Sequence, residues 1–500
     1  MKLPRLAAVV CVAAVMAAPL HATSYLVTVG FDDATNNGNC TLREALMAAT
    51  TNAARDACPA GTAGAADVIQ LVGITYSWTL GSFAMNGDSV EVRGPATATP
   101  TALLDLGDHS RFLYAIDATI VLQKLVVRDG NAFPDAVDPL GGVVRTFGSS
   151  LTLRDSNFVS SRAAMGGAVV FQSSGTPLVV ERCLFTGNSA ESGGGFTFPQ
   201  GGALLVSLEG TAAARIVDTR ITANRARSTV AGDQASGGGL RASAFGSAVL
   251  EIVRVEVENN VAIPGAGGFS SGAGAILFTG DDGRASITDT TWSGSDVQGT
   301  GVNSSALTLT SFGDSTVRID RARFTANDVG QPVGQLFLDA TGQAIVVLAD
   351  ALVADGSNIG LRARAAETST VRVDHATFAG CATGAALEAN DSGVVRIENS
   401  LFWDNGLDVA DTIPSSIDAS TMTGVDPLFV DPGNGDYSLG PGSPAADVGN
   451  LALPGVGAYD LLHAQRVIGP QTDVGAFERG GLFADGFEGG EVGDWAGSAP

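Results

Sequence analysis

The sequence predicts an all-β solenoid, a stack of coils built from short strands and closed at both ends by smaller elements. Three observations carry that prediction. An eight-residue pattern of alternating apolar positions recurs along most of the chain. Glycine supplies 65 of 500 residues, against a usual share of ~7%. No helical periodicity lies between the repeats, so they do not read as strand–helix–strand units.

Composition bounds the function. The formal net charge is −24, which excludes a nucleic-acid partner, because phosphate contacts need a basic face. Lysine occurs only at Lys2 and Lys124, which argues against lysine chemistry and polybasic membrane docking. Lys2 and Arg5 precede an apolar stretch from Leu6 to Leu20 with Ala17, Ala18 and Ala22 near its end. That pattern predicts a secretory signal peptide over residues 1–22, cut after Ala22, and an extracellular or cell-surface location. No later segment is expected to span a membrane.

The repeats are Leu151–Phe158, Leu178–Phe185, Ala214–Ile221, Leu250–Val257, Ala285–Trp292, Val317–Phe324, Ile345–Leu352, Val371–Phe378 and Val395–Phe402, with a looser copy at Ile120–Val127. Positions one and three are apolar, six is small and eight is bulky. The period of two makes each a strand. Their recurrence every 24 to 36 residues makes each repeat one coil. Phe185–Asn188, Phe324–Asn327 and Phe402–Asn405 share a Phe-x-x-Asn spacing. The Phe is expected in the core and the Asn at a corner, hydrogen-bonded to its copies along the axis. Gly166-Gly-Ala-Val169, Gly201-Gly-Ala-Leu204, Gly237-Gly-Gly-Leu240 and Gly274-Ala-Ile276 are expected to open the next strand. Glycine and asparagine both tolerate the positive φ of tight corners.

This pairing resembles the GGA[ILV] and FxxN repeats of the polymorphic outer-membrane proteins, and more broadly the right-handed parallel β-helix proteins. The resemblance implies a right-handed parallel β-helix of about twelve coils over residues 67–410. Within residues 23–66, Asn39-Cys-Thr-Leu-Arg-Glu-Ala-Leu46 resembles the CSLREA domain, with Thr41 in place of its Ser. Thr41 and Glu44 also fit a capping box, so a short helix should cover the first coil. Residues 411–480, with Asp426-Pro-Leu-Phe429 and Asp473-Val-Gly-Ala-Phe-Glu478, resemble the choice-of-anchor Q domain. Residues 481–500 resemble an acidic DGFE-type tail.

Cys40 and Cys58 flank the expected helix and are expected to form a disulfide in an exported protein. Cys183 and Cys381 fall six coils apart, roughly 29 Å at strand spacing, too far to bond. Cys183 sits at the small inward sixth position, and Cys381 replaces a corner Asn.

No catalytic set is legible. Pectinolytic β-helix enzymes use carboxylates and basic residues outside a sheet. Here Arg318, Arg372 and Arg396 share the second repeat position, and Asp320, Asp374 and Glu398 the fourth, which predicts a ladder of surface ion pairs. The longest coils place their extra residues in Ser189–Gln200, Arg225–Ser236 and Val261–Gly272, side by side on one flank. A ligand is therefore expected near Glu191, Arg225, Arg227 and Asp233, with Phe196 and Phe198 beside them. No cofactor and no metal cluster are expected, though Asp431, Asn434 and Asp436, or Asp485, Glu488 and Asp494, carry the chemistry to hold Ca²⁺. The function expected is a nonenzymatic, adhesin-like or glycan-binding surface protein. Its partner would be an extracellular or envelope polysaccharide, or a host or neighbour cell surface. The alternative is a polysaccharide lyase or glycoside hydrolase acting on an acidic polysaccharide.

Overall fold

The structure is a computed structural model that describes residues 22–193, 195–196, 198–299, 304–327, 334–411, 416–453 and 457–480. Most of the expected signal peptide, and Asp485, Glu488 and Asp494, lie outside the described residues. No helix among those residues is long and apolar enough to cross a membrane.

The chain forms an all-β parallel β-helix. The coil around Phe185 shows its plan. Val169–Ser173 lies on one face, Pro177–Glu181 on a second, Leu184–Thr186 on a third and Ser189–Glu191 on a short fourth. Face 1 stacks into a 12-stranded sheet, faces 2 and 3 into a 23-stranded one, and face 4 into a 5-stranded one. At ~4.8 Å per coil, twelve strands make a rod roughly 50 Å long.

Alternation within each repeat decides what fills the interior. Tyr76, Leu104, Val127, Phe158, Phe185, Ile221, Val257, Trp292, Phe324, Val353, Phe378 and Phe402 follow one another up face 3. Each is at most 1% exposed. Identical registers stack their rings: centroids lie 4.8 Å apart for Phe158–Phe185 and 4.7 Å for Phe378–Phe402. Such pairs add ~0.5–1.5 kcal/mol to what area burial already supplies.

Two registers differ from expectation by one residue. Val346 and Val353, not Ile345 and Leu352, pair with Val317 and Phe324. Ile345 is 47% exposed. Five apolar residues in a row, Ile345–Ala349, leave the alternation ambiguous, and burial of Val346 and Leu348 settles it. Likewise Ala275, not Ile276, pairs with Leu240, and Gly272 makes the corner with φ +55°.

The corners explain the composition. The fifth repeat position is left-handed in every coil from Lys124 to Asn399, with φ between 45° and 57°. Its occupants are Lys124, Asp155, Arg182, Asp218, Arg254, Asp289, Arg321, Asp350, His375 and Asn399. From Lys124 to Asp350 their charges alternate along the axis, and Asp155–Arg182, Asp218–Arg254 and Asp289–Arg321 pair at 2.6, 2.6 and 2.7 Å. At the next corner the left-handed residue precedes the asparagine: Gly187, Ala223, Asn259 and Ala326. The asparagines point inward and bond along the axis as expected. Asn188 Nδ2 donates to Asn224 Oδ1 at 3.0 Å, and Asn224 Nδ2 to Asn260 Oδ1 at 3.1 Å. Both thiols in the inward columns are buried, and burial pushes the Cys183 thiol up to about 12 and the Cys381 thiol upward.

At the N-terminal end, helix Leu42–Thr51 covers the stack with the Thr41–Glu44 capping box in place. Cys40 and Cys58 are bonded. Arg43 pairs with Asp32 at 2.7 Å and lies 3.9 Å above the Trp78 ring, so it holds the cap down. The segment expected as cap also gives strand Ser24–Val27, which pairs with Asp67–Leu71.

The C-terminal region does more than close the last coil. Ile417 and Met422 bridge to Ile397 and Leu401 at the end of the stack. The chain then turns back along face 3. Tyr437, Leu461 and Phe477 pack on the outward Leu352, Ala354 and Ala379. Tyr437 Oη donates to Asp355 at 2.6 Å, and the Ala476 amide to Thr377 Oγ1 at 2.9 Å.

Candidate functional site

The three long loops lie side by side because face 4 pairs them. Ser189–Glu191 pairs with Arg225–Arg227, which pairs with Val261–Ile263. Ala190, Ala226 and Ala262 point inward, so Glu191, Arg225 and Arg227 point out. Arg225 donates to Glu191 at 2.8 Å and to Ser189 Oγ at 2.9 Å. Burial would raise the Glu191 carboxyl, but bonds from Ser189 and Arg225 outweigh it and hold it below the usual carboxylate range. Arg227 is exposed and makes no ion pair among the described residues. Asp233 sits on the loop beyond and accepts from Ser228 Oγ at 3.4 Å. Phe198 is 47% exposed nearby. Two of the expected site residues therefore satisfy each other, and the other two stand apart from that pair.

Each loop delivers the chain to face 1, and the residue missed by the sequence reading is there. Arg145, Val170, Leu205, Arg241 and Ile276 occupy successive outward positions on face 1. Two residues further along each strand come Phe147, Gln172, Ser207, Ser243 and Phe278. Arg241 is partly buried between Leu205 and Ile276, with its guanidinium 5.4 Å from the Phe278 ring. Its one side-chain bond among the described residues is to Ser243 Oγ at 3.3 Å. Burial pushes it down, and no carboxylate offsets that. Phe147, 57% exposed, edges a cleft of about 150 Å³ with Gln172, Ser207 and Glu209. The signal for this stripe was an Arg with no acid beside it in an outward column of apolar and hydroxyl residues, which a search for paired charges passes over.

The Arg and carboxylate columns form the expected ion pairs. Arg318 meets Asp320 at 2.9 Å, and Arg372 meets Asp374 at 2.9 Å and Glu398 at 2.8 Å. Asp374 and Glu398 are buried, at 1% and 4% exposure. His375 Nδ1 lies 2.9 Å from Asp374, and its Nε2 lies 3.2 Å from Thr472 Oγ1. That chain has the order of an acid–base–nucleophile set. All three residues are at most 1% exposed, so no substrate atom reaches them. Asn434 turns its amide onto Asp431 at 2.8 Å, and no group of three or more His, Cys, Asp or Glu among the described residues could hold a metal ion.

No family model matches the chain, and no curated protein does. Among solved structures, a PL6 alginate lyase in complex with a trisaccharide is similar, with a TM-score of 0.24 and 8% identity, over 80% of this chain and 93% of that one.

Proposed function

We propose that the protein is an exported, surface-displayed glycan-binding protein that holds an acidic polysaccharide along face 1 without cleaving it. One observation carries this reading: Arg241, a partly buried guanidinium on the outer side of face 1 with no carboxylate partner among the described residues. A desolvated cation lacking an acid favours an incoming carboxylate, and charge-assisted bonds of that kind are roughly twice as strong as neutral ones. Phe147 and Phe278 offer flat apolar surface, and Gln172 and Ser207 offer amide and hydroxyl partners between them. Glu209 edges the same cleft as Phe147, Gln172 and Ser207, so polymer length is the readout that separates binding from elimination or hydrolysis.

Residues 23–500 are mixed with acidic and neutral polysaccharides, and both co-elution and polymer length are followed by size-exclusion chromatography. Co-elution of an acidic polymer at unchanged length is expected, weakened at least tenfold by Arg241→Gln. Equal binding by R241Q overturns the assignment of the anchor. Shortening of the polymer overturns the binding reading in favour of an enzyme.

A further inference from the structure

A second site lies on face 3, where the C-terminal region stops. That region covers the outward residues of the last coils, from Leu352 onward. One coil earlier, at the register of Thr291 and Arg323, the face emerges from under it. A cavity of about 180 Å³ fills the step, walled by Asp289, Thr290, Thr291, Arg321 and Arg323 on the β-helix and by Leu461 and His463 on the C-terminal region, the Asp289 carboxylate being already bonded to Arg321.

Its charges are arranged unevenly. Arg321 is engaged, with Asp289 and Asp320 each at 2.7 Å. Arg323 is partly buried and makes no ion pair or hydrogen bond among the described residues. Its guanidinium lies 5.8 Å from the Phe477 ring, and the acids it senses, Asp460 and Asp436, act on it only at a distance. His463 reaches in from the opposite wall, with Nε2 3.2 Å from Asp289 Oδ1. It is held there by a built turn. Asp460 Oδ1 accepts from the amides of Leu462 and Ala464, and His463 itself is left-handed, with φ +64°. A non-glycine residue in that region costs ~1–2 kcal/mol, so the turn maintains an arrangement that the chain does not favour locally.

We propose that this cavity is an anion site, taking one carboxylate or sulfate group on Arg323 with His463 closing over it. The two sources share the chemistry of a small oxyanion, and the planar fork of Arg323 accepts either. The site is built jointly by the β-helix and the C-terminal region, so occupancy ties the two together by binding only the docked form. It lies on a different face from the Arg241 stripe, and its test is separate.

The His463 ring is followed by NMR across a pH titration of residues 23–500, in chloride, sodium sulfate or glucuronate at equal ionic strength. Sulfate or glucuronate is expected to move the His463 titration to higher pH than chloride does, because a bound anion favours imidazolium. The salt that produces the shift identifies the source. Arg323→Gln and Arg323→Lys should each reduce the apparent affinity at least tenfold, and Arg284→Ala, at an exposed arginine at the start of the same β-helix coil as Thr291 with no ion pair among the described residues, should leave it unchanged. A His463 titration identical in all three salts overturns the proposal, with no variant needed. A shift that survives in R323K and R323Q overturns the role of Arg323.

Discussion

Gln335 Oε1 lies 3.2 Å from the backbone nitrogen of Asn327 and 3.2 Å from its side-chain amide. It occupies the place of a corner asparagine that the next coil lacks, where the chain has Gly356. Gln335 comes from face 1, reaches across the interior, and donates to the Ala354 carbonyl at 3.0 Å. A Cβ on Gly356 would run into that amide. The asparagine ladder is thus continued by a side chain from another strand. Gln335→Leu is expected to destabilise the protein by roughly 1–3 kcal/mol, since it leaves the buried Asn327 backbone N–H without its acceptor, while the side-chain amide keeps the Trp292 and Thr325 carbonyls. Gly356→Asn alone should also destabilise. Combined with Gln335→Ala it should cost clearly less than the two separate effects summed, as measured by urea unfolding. Additive effects would show that Gln335 and position 356 do not share one role.

The left-handed corner at the fifth repeat position makes a different prediction. Arg254 has φ +50° and pairs with Asp218 at an exposed site. The ion pair is worth little in water, and the backbone conformation costs more. Arg254→Gly should therefore leave stability within about 0.5 kcal/mol of wild type, losing the pair while relieving the strain. Arg254→Val should cost about 1–2 kcal/mol, because a β-branched residue resists positive φ. If glycine proves much worse than valine, the charge ladder and not the backbone governs this corner.

The cap depends on its cross-link. Cys40 and Cys58 close a loop of sequence separation 18 around the helix. Replacing both with serine is expected to lower stability by about 3 kcal/mol through loop entropy. The loss should localise: amide exchange should rise in Leu42–Thr51 and Ser24–Val27 while the Phe158–Phe185 region stays protected. Uniform acceleration along the rod would mean that the cap and the coils unfold as one unit.

The solenoid, its coil count and the inward columns were legible because one repeat register fixes a whole stack of side chains. Position eight alone names the core from Val127 to Phe402. The register slipped only at Ile345–Ala349 and at Gly272–Ile276, where apolar or small residues run consecutively and period two loses its phase. The candidate site was half legible. Loop length pointed to the face 4 flank and not to face 1, because pattern reasoning favours charges with partners, and Glu191 and Arg225 are spent on each other. Arg241 and Arg323 matter for the opposite reason, and the lack of a partner shows only in three dimensions. The return of residues 437–478 along face 3 was hidden too, since it depends on contacts such as Tyr437–Asp355 between segments far apart in sequence.

That return also sets a pH dependence. Glu478 lies 3.8 Å from Arg466, which pairs with Asp350 beneath the C-terminal region. Burial lifts the Glu478 carboxyl from 4.5 to about 7, with bonds from the Asp473 and Ile468 amides and the charge of Arg466 opposing the rise and Asp473 adding to it. Asp350 and Asp473 are raised as well, both chiefly by burial. A carboxyl whose folded value lies above its unfolded one holds its proton more tightly when folded. Its contribution is complete below the unfolded value and is lost as pH climbs through the folded one. Docking of the C-terminal region should therefore weaken between about pH 4.5 and 7, by on the order of 1–2 kcal/mol. Amide exchange at Gly475 and Ala476, whose N–H groups bond to Asn399 and Thr377, reads this directly. Exchange corrected for its intrinsic pH dependence should be slower at pH 5 than at pH 8 in the wild type, and Glu478→Gln should flatten much of that difference. A flat profile in the wild type would place Glu478 in its charged form against Arg466 throughout, making the pair a permanent ion bridge and not a titrating one.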